Sequence, residues 1–142
     1  MRQRNSDMNA ATNDNAGPKN LISIVTFNVI ATQTVDGGVI PWVNIGRANE
    51  EILNLIDADE IVIPEHEITV AVDYPLAEPT SFHLFSSIGF SRKLVLIEIR
   101  ERFLSFSASE QNQFDIYGLD LVSLDVYKTN LGKIELTLEI DN

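Results

Sequence analysis

The chain has 142 residues, a formal net charge of −11 at pH 7, 44% hydrophobic residues and no cysteine. This length predicts one domain with enough apolar material for a core, no apolar run approaches the ~18 residues of a membrane span, and the missing thiols exclude disulfides, thiolate metal sites and cysteine nucleophiles. The acidic balance argues against phosphate-neutralising nucleic-acid binding and against docking on anionic lipid, so a soluble, cytoplasmic protein with no membrane association is expected.

Residues 1–19 are rich in Asn, Ala and Asp and nearly free of bulky apolar side chains. They bury too little to offset the entropy of ordering, so they read as a disordered polar tail ahead of a single α+β domain over 20–142. From Leu21 to Ile30 both alternating sets are largely apolar and β-branched, the pattern of a central strand packed on both faces. Asp36-Gly37 signals a two-residue hairpin turn. Val39 to Ile45 would return as a second strand, and Pro41, which cannot donate to a ladder, puts it at an edge. Residues 49–57 (NEEILNLID) predict a short helix with Asn49 as N-cap and Glu50 and Glu51 in its first turn. Ile52, Leu53 and Ile56 would form its buried side.

Ile61 to Ile63 fits a brief strand stopped by Pro64. Glu67 to Tyr74 alternates cleanly, with Ile68, Val70, Val72 and Tyr74 on one side. Pro75 and Pro79 mark a loop. Leu119–Lys128 and Lys133–Ile140 predict a hairpin around Thr129-Asn130-Leu131-Gly132, dry on one face and wet on the other, as antiparallel sheets often are.

Between these strands lies Gly89–Ala108. At helical spacing Leu96, Ile99, Phe103 and Phe106 make one apolar stripe, Val95 joins it, and Ser91 can cap its start. Val95, Ile97 and Ile99 are β-branched, and Arg92 and Lys93 oppose the helix dipole. The stripe outweighs these costs, so a helix near 91–107 is expected. The fold class is therefore α+β: an antiparallel sheet of about five or six strands covered on one face by that helix, with the short second helix near 49–57. Ile97 and Leu104 fall outside the main stripe and suggest a route to a homo-oligomer.

The motifs that carry chemistry are scarce. His66 lies in Glu65-His66-Glu67, but neighbouring side chains on a strand point to opposite faces, so Glu65 and Glu67 share a side and His66 faces away. His83, between Phe82 and Leu84, reads as a partly buried, hydrogen-bonded histidine. Asp57-Ala58-Asp59 resembles a D-x-D metal ligand pair with no second cluster to complete it. No nucleophile elbow, phosphate loop or zinc-protease motif is present, and no cofactor or metal is expected.

Ala48 to Ser91 contains no Lys or Arg. Of its acids, Glu50, Glu51, Asp57, Asp59, Glu60, Glu65, Glu67 and Asp73, together with the edge residue Trp42, form the candidate interaction surface for a protein partner, a basic one by charge. The first functional expectation is thus a non-enzymatic interaction or structural module. One alternative is an acidic inhibitor that mimics DNA phosphates and occupies a basic groove. Another is a small enzyme using His83 with a nearby carboxylate from the Glu65–Asp73 region.

Overall fold

A computed structural model describes residues 18–32, 38–109 and 111–142. The predicted turn at Asp36-Gly37 and residues 1–17 of the predicted tail lie outside them. In chain order the elements are β1 (Lys19–Thr26), β2 (Val29–Ile30), β3 (Val39–Ile40), β4 (Val43–Asn44), α1 (Ala48–Glu51), β5 (Ile61–Ile63), β6 (Glu67–Val72), β7 (Thr80–Phe85), β8 (Phe90–Ser91), α2 (Arg92–Ser107), β9 (Asp120–Thr129) and β10 (Ile134–Asp141). A 3₁₀ turn over Ile52–Asn54 extends α1, and another at Ile116–Gly118 precedes β9.

The expected α+β architecture is present. Five strands run in the order β1-β9-β10-β6-β7, and β4 joins as a sixth by pairing with the start of β9 beyond the end of β1. All ladders are antiparallel except β10–β6, which is parallel and aligns Glu135 with Thr69, Leu136 with Val70 and Thr137 with Ala71. Two small ladders, β2–β3 and β5–β8, lie off this sheet.

The period-2 strands bury one face. Ile68, Val70 and Val72 point inward beside Phe82 and Leu84 of β7 and Leu136 of β10. Helix α2 contributes Val95, Leu96, Ile99 and Phe103 to the same core, all without exposed surface. Phe106 packs at the margin, where its ring meets Phe82 and Phe103. Ile97 also packs against the core, and Leu104 is half-buried, so neither is a freely exposed apolar residue.

The basic start of α2 has a specific remedy. Ser91 Oγ accepts from Leu94 N at 3.0 Å, as a capping side chain should. The acidic connection 57–60 folds against the same end. Its carbonyls at Glu60 and Ala58 accept from Arg92 N and Lys93 N, two of the helix's orphan donors. Its carboxylates pair with the side chains, Glu60 with Arg92 at 2.9 Å and Asp59 with Lys93 at 3.0 Å. Arg92 further donates to the carbonyls of Thr26 and Asp57 and so ties the end of β1 to this corner. The chain reaches α2 through Gly89 at φ +84°, where a Cβ would sit 3.0 Å from the Ile63 carbonyl oxygen.

Several expectations are corrected. Lys19, assigned to the tail, is the first residue of β1 and pairs with Thr129. Leu21–Ile30 is not a central strand: β1 is the sheet's edge, and its side chains are exposed on both sides apart from Val25. Val39–Ile45 is two short strands with different partners, because the chain bends at Pro41-Trp42. The short helix starts at Ala48 with Arg47 at its N-cap and no capping side chain, so Asn49 lies inside it. Leu53, expected on its buried side, is 84% exposed. Strand β6 stops at Val72, two residues before Tyr74, which lies exposed. Thr80–Phe85, which the sequence left without a strand, is β7.

Candidate functional site

Across the face that α2 leaves open, ladder registers set one row of side chains side by side. Leu21 of β1 is opposite Tyr127 of β9, Tyr127 opposite Glu135 of β10, Glu135 opposite Thr69 of β6, and Thr69 opposite His83 of β7. Tyr127, Glu135, Thr69 and His83 belong to the outward sets of their strands, since their neighbours Val126, Leu136, Val70, Phe82 and Leu84 point into the core, and Leu21 joins the row by its register with Tyr127. Three contacts lock the row. Lys19 Nζ lies 4.7 Å from the centre of the Tyr127 ring and 3.2 Å from Glu135 Oε1. Thr69 Oγ1 lies 3.0 Å from His83 Nδ1.

The β7 end of this row opens into a cavity of about 470 Å³, lined by the Glu135–Thr69–His83 row together with Glu65, Glu67, Ser81 and the β9–β10 turn. Glu135 is its unusual member. The sequence placed it on the wet side of its strand, yet its side chain keeps only 7% of its surface exposed. One oxygen accepts from Lys19 Nζ. Glu65 and Glu67 share the cavity and His66 stays out of it, as the strand alternation requires.

His83 is exposed rather than partly buried, because Phe82 and Leu84 take the core positions of β7. It shares a concave site with carboxylates, as the enzyme alternative demands. Its one side-chain partner among the described residues is Thr69, so no acid orients the ring as a catalytic histidine's partner does. Among the described residues no three His, Asp or Glu side chains are placed to hold a metal.

The other sequence candidates lie away from this cavity. Glu50 is exposed on α1, and Glu51 accepts from Asn44 N at 2.9 Å and so fastens α1 to β4. Asp57 takes a left-handed backbone conformation at φ 55°. Asp59 and Glu60 are committed to Lys93 and Arg92. Asp73 lies at the end of β6, where its carbonyl accepts from Leu76 N. Trp42 is 43% exposed in the bend between β3 and β4. Of the nine residues, Glu65 and Glu67 meet in the cavity on the open face, and Asp57, Asp59 and Glu60 line a second, more open one beside Lys93.

At the opposite end of the row lies a surface that hydropathy misassigned. Among the described residues strand β1 pairs with β9 on one side only, and Leu21, Ile22 and Ile24 are 50%, 53% and 55% exposed. Edge strands are ordinarily blunted by charge, proline or shortness. This one is eight residues long, contains no proline and has a single charged residue, Lys19, at one end. Its open stretch is bounded by two fixed points, the Pro18 carbonyl accepting from Asn130 N and the Thr26 carbonyl accepting from Arg92. The far edge differs: Arg102 covers the Phe82 ring and reaches the His83 carbonyl of β7.

No protein-family model matches the chain, and neither the curated proteins nor the solved structures contain a significant match. No helix among the described residues is long and apolar enough to cross a membrane.

Proposed function

We propose that the protein is a non-enzymatic interaction module that binds an extended segment of a partner protein by strand addition along β1. The unpaired, apolar edge at Leu21, Ile22 and Ile24 carries this reading. Unpaired backbone groups give such an edge its affinity, and the alternating side chains give it selectivity. The occupant is a proline-free, β-branched segment with neutral or basic flanks. A second copy would bring −11 against −11, and Asp125 lies opposite Ile24 on the open face. Engagement of Glu51, Asp59 and Glu60 in contacts within the fold leaves fewer free carboxylates for the phosphate-mimic alternative.

The test is affinity capture from the native source with the wild-type chain and with Leu21→Lys and Ile24→Lys, using amine-reactive cross-linking to locate the contact. Support requires a partner that cross-links at Lys19 or Lys128, beside the edge, and is lost with either variant. A partner retained equally by both variants refutes edge binding. A wild-type dimer dissolved by Ile24→Lys, with no other partner, would overturn the heterotypic occupant in favour of a second copy.

A further inference from the structure

We infer that the start of β1, Lys19–Leu21, is a latch that opens about Ile22, with the Lys19 ammonium group as its catch. The two halves of β1 are held differently. The C-terminal half buries Val25, runs on into the fully buried Phe27, and has its last carbonyl, at Thr26, fixed by Arg92. No residue from Lys19 to Ile24 is buried. Between the halves the register with β9 shifts. Leu21 is opposite Tyr127 and Ser23 is opposite Val126, so Ile22 is the extra residue of a bulge. A bulge interrupts the ladder and bends its strand, which supplies the hinge.

Among the described residues the latch is held by its pairing with Tyr127, Lys128 and Thr129, by the Pro18 carbonyl accepting from Asn130 N at 3.0 Å, and by the Lys19 side chain. That side chain reaches past β9. Its Nζ lies over the Tyr127 ring at 4.7 Å and donates to Glu135 Oε1 of β10 at 3.2 Å. The Glu135 side chain is 7% exposed against 33% for Lys19, so the closed latch keeps a carboxylate out of water with its cation beside it. Opening returns both charges to water. Removing the cation alone therefore favours the open state. Opening also spares the rest of the sheet, because Tyr127 and Lys128 stay paired with Glu135 and Ile134 of β10. Segments that bury little apolar surface open in this way well below the free energy of global unfolding. The consequence for binding rests on strand addition along β1. Closed, the latch completes an edge of eight residues. Open, it leaves only Ser23–Thr26, short of the ~5–6 residues usual in a strand. Lys19 sets how much of the edge a partner finds.

The experiment is native-state hydrogen exchange of the full chain, followed by NMR at rising sub-denaturing urea. Two adjacent amides report separately. Asn130 N donates to the Pro18 carbonyl, which opening withdraws, and Thr129 N donates to the Lys133 carbonyl within the β9–β10 turn. Leu136, buried at the centre of the sheet, reports global unfolding. Exchange at Asn130 should be nearly independent of urea, against a steep dependence at Leu136. Lys19→Met keeps an unbranched apolar side chain over Tyr127 and removes the charge. It should speed exchange at Asn130 by about five- to thirtyfold and leave Thr129 and Leu136 nearly unchanged. Glu135→Gln should act in the same direction but less, because no carboxylate is then left buried without its cation. The double variant should exchange no faster than Lys19→Met, since both changes act through one contact. Asn130 exchange that follows urea as steeply as Leu136, that is unchanged in Lys19→Met, or that rises only together with Thr129 and Leu136 overturns the latch. These results are read on the isolated chain, so they stand whether or not affinity capture supports strand addition. An edge partner held equally by the wild type and by Lys19→Met overturns the control of binding by Lys19 and leaves the edge itself intact.

Discussion

Phe103→Ala tests whether α2 holds the core together. Phe103 has no exposed surface, and its ring meets Phe106 at 5.8 Å and Phe114 at 6.1 Å, both edge-to-face. An aromatic side chain buries about 150–250 Å², worth about 4–6 kcal/mol at roughly 25 cal/mol/Å². Alanine keeps the Cβ but leaves a cavity under the middle of the helix, so a loss of about 3–5 kcal/mol is expected. Against a domain stability of about 5–15 kcal/mol that is a large share, and the midpoint of thermal unfolding should fall by on the order of 10–20 °C. Urea unfolding followed by far-ultraviolet circular dichroism measures it, with Phe106→Ala at the half-buried margin as comparison. Phe103→Ala should show a lower midpoint at unchanged slope and a clearly larger loss than Phe106→Ala. A loss below about 1.5 kcal/mol, or one no greater than that of Phe106→Ala, would refute the assignment of α2 as the principal cover of the sheet.

Leu21→Lys and Ile24→Lys should change stability by no more than about 0.5 kcal/mol in the same unfolding assay, because neither side chain is buried in the isolated chain; a large loss would place them in a core. Gly89→Ala should cost about 1–3 kcal/mol, since the positive φ and the Ile63 carbonyl both oppose a Cβ. Gly132→Ala should cost about 1 kcal/mol, because its φ is also positive but nothing lies within 4 Å; equal losses at the two glycines would contradict the close approach at Gly89. Arg92→Ala should cost about 1–3 kcal/mol by stranding the Thr26 and Asp57 carbonyls. Glu60→Gln removes only a pair whose acid is more than half exposed, so about 0–1 kcal/mol is expected from chemical denaturation.

Strands with one dry face were readable from their own residues. The alternation of Ile68, Val70 and Val72, and of Ile134, Leu136 and Leu138, is a local signal that tertiary structure did not override. Helix α2 was readable because one side had to bury Leu96, Ile99 and Phe103. The misreading of β1 has a physical cause. Apolar residues on both alternating sets mark a strand that excludes water on both faces, and the pattern is the same whether its neighbour comes from this chain or another. Strand β7 was missed because Phe85 is apolar and exposed, which breaks the alternation that Phe82 and Leu84 begin. Glu65 and Glu67 were identified as a same-side pair from neighbouring positions. Their meeting with His83 and Glu135 depends on the parallel β6–β10 register, a pairing of distant segments with no local signature.

That parallel pairing also sets a timetable. Strand β10 is the last element of the described chain, yet it lies inside the sheet, with β9 on one flank and β6 on the other. The β6–β7 pair and the β1–β9 pair are joined within the sheet only through it. A ribosome therefore releases β1, β6, β7 and α2 before the strand that unites them exists. Until Ile134–Asp141 emerges, the apolar faces of β6 and α2 must wait without their central neighbour. Closure then depends on residues as far apart in sequence as Thr69 and Glu135, a long-range pairing of the kind that slows folding and lengthens exposure to aggregation.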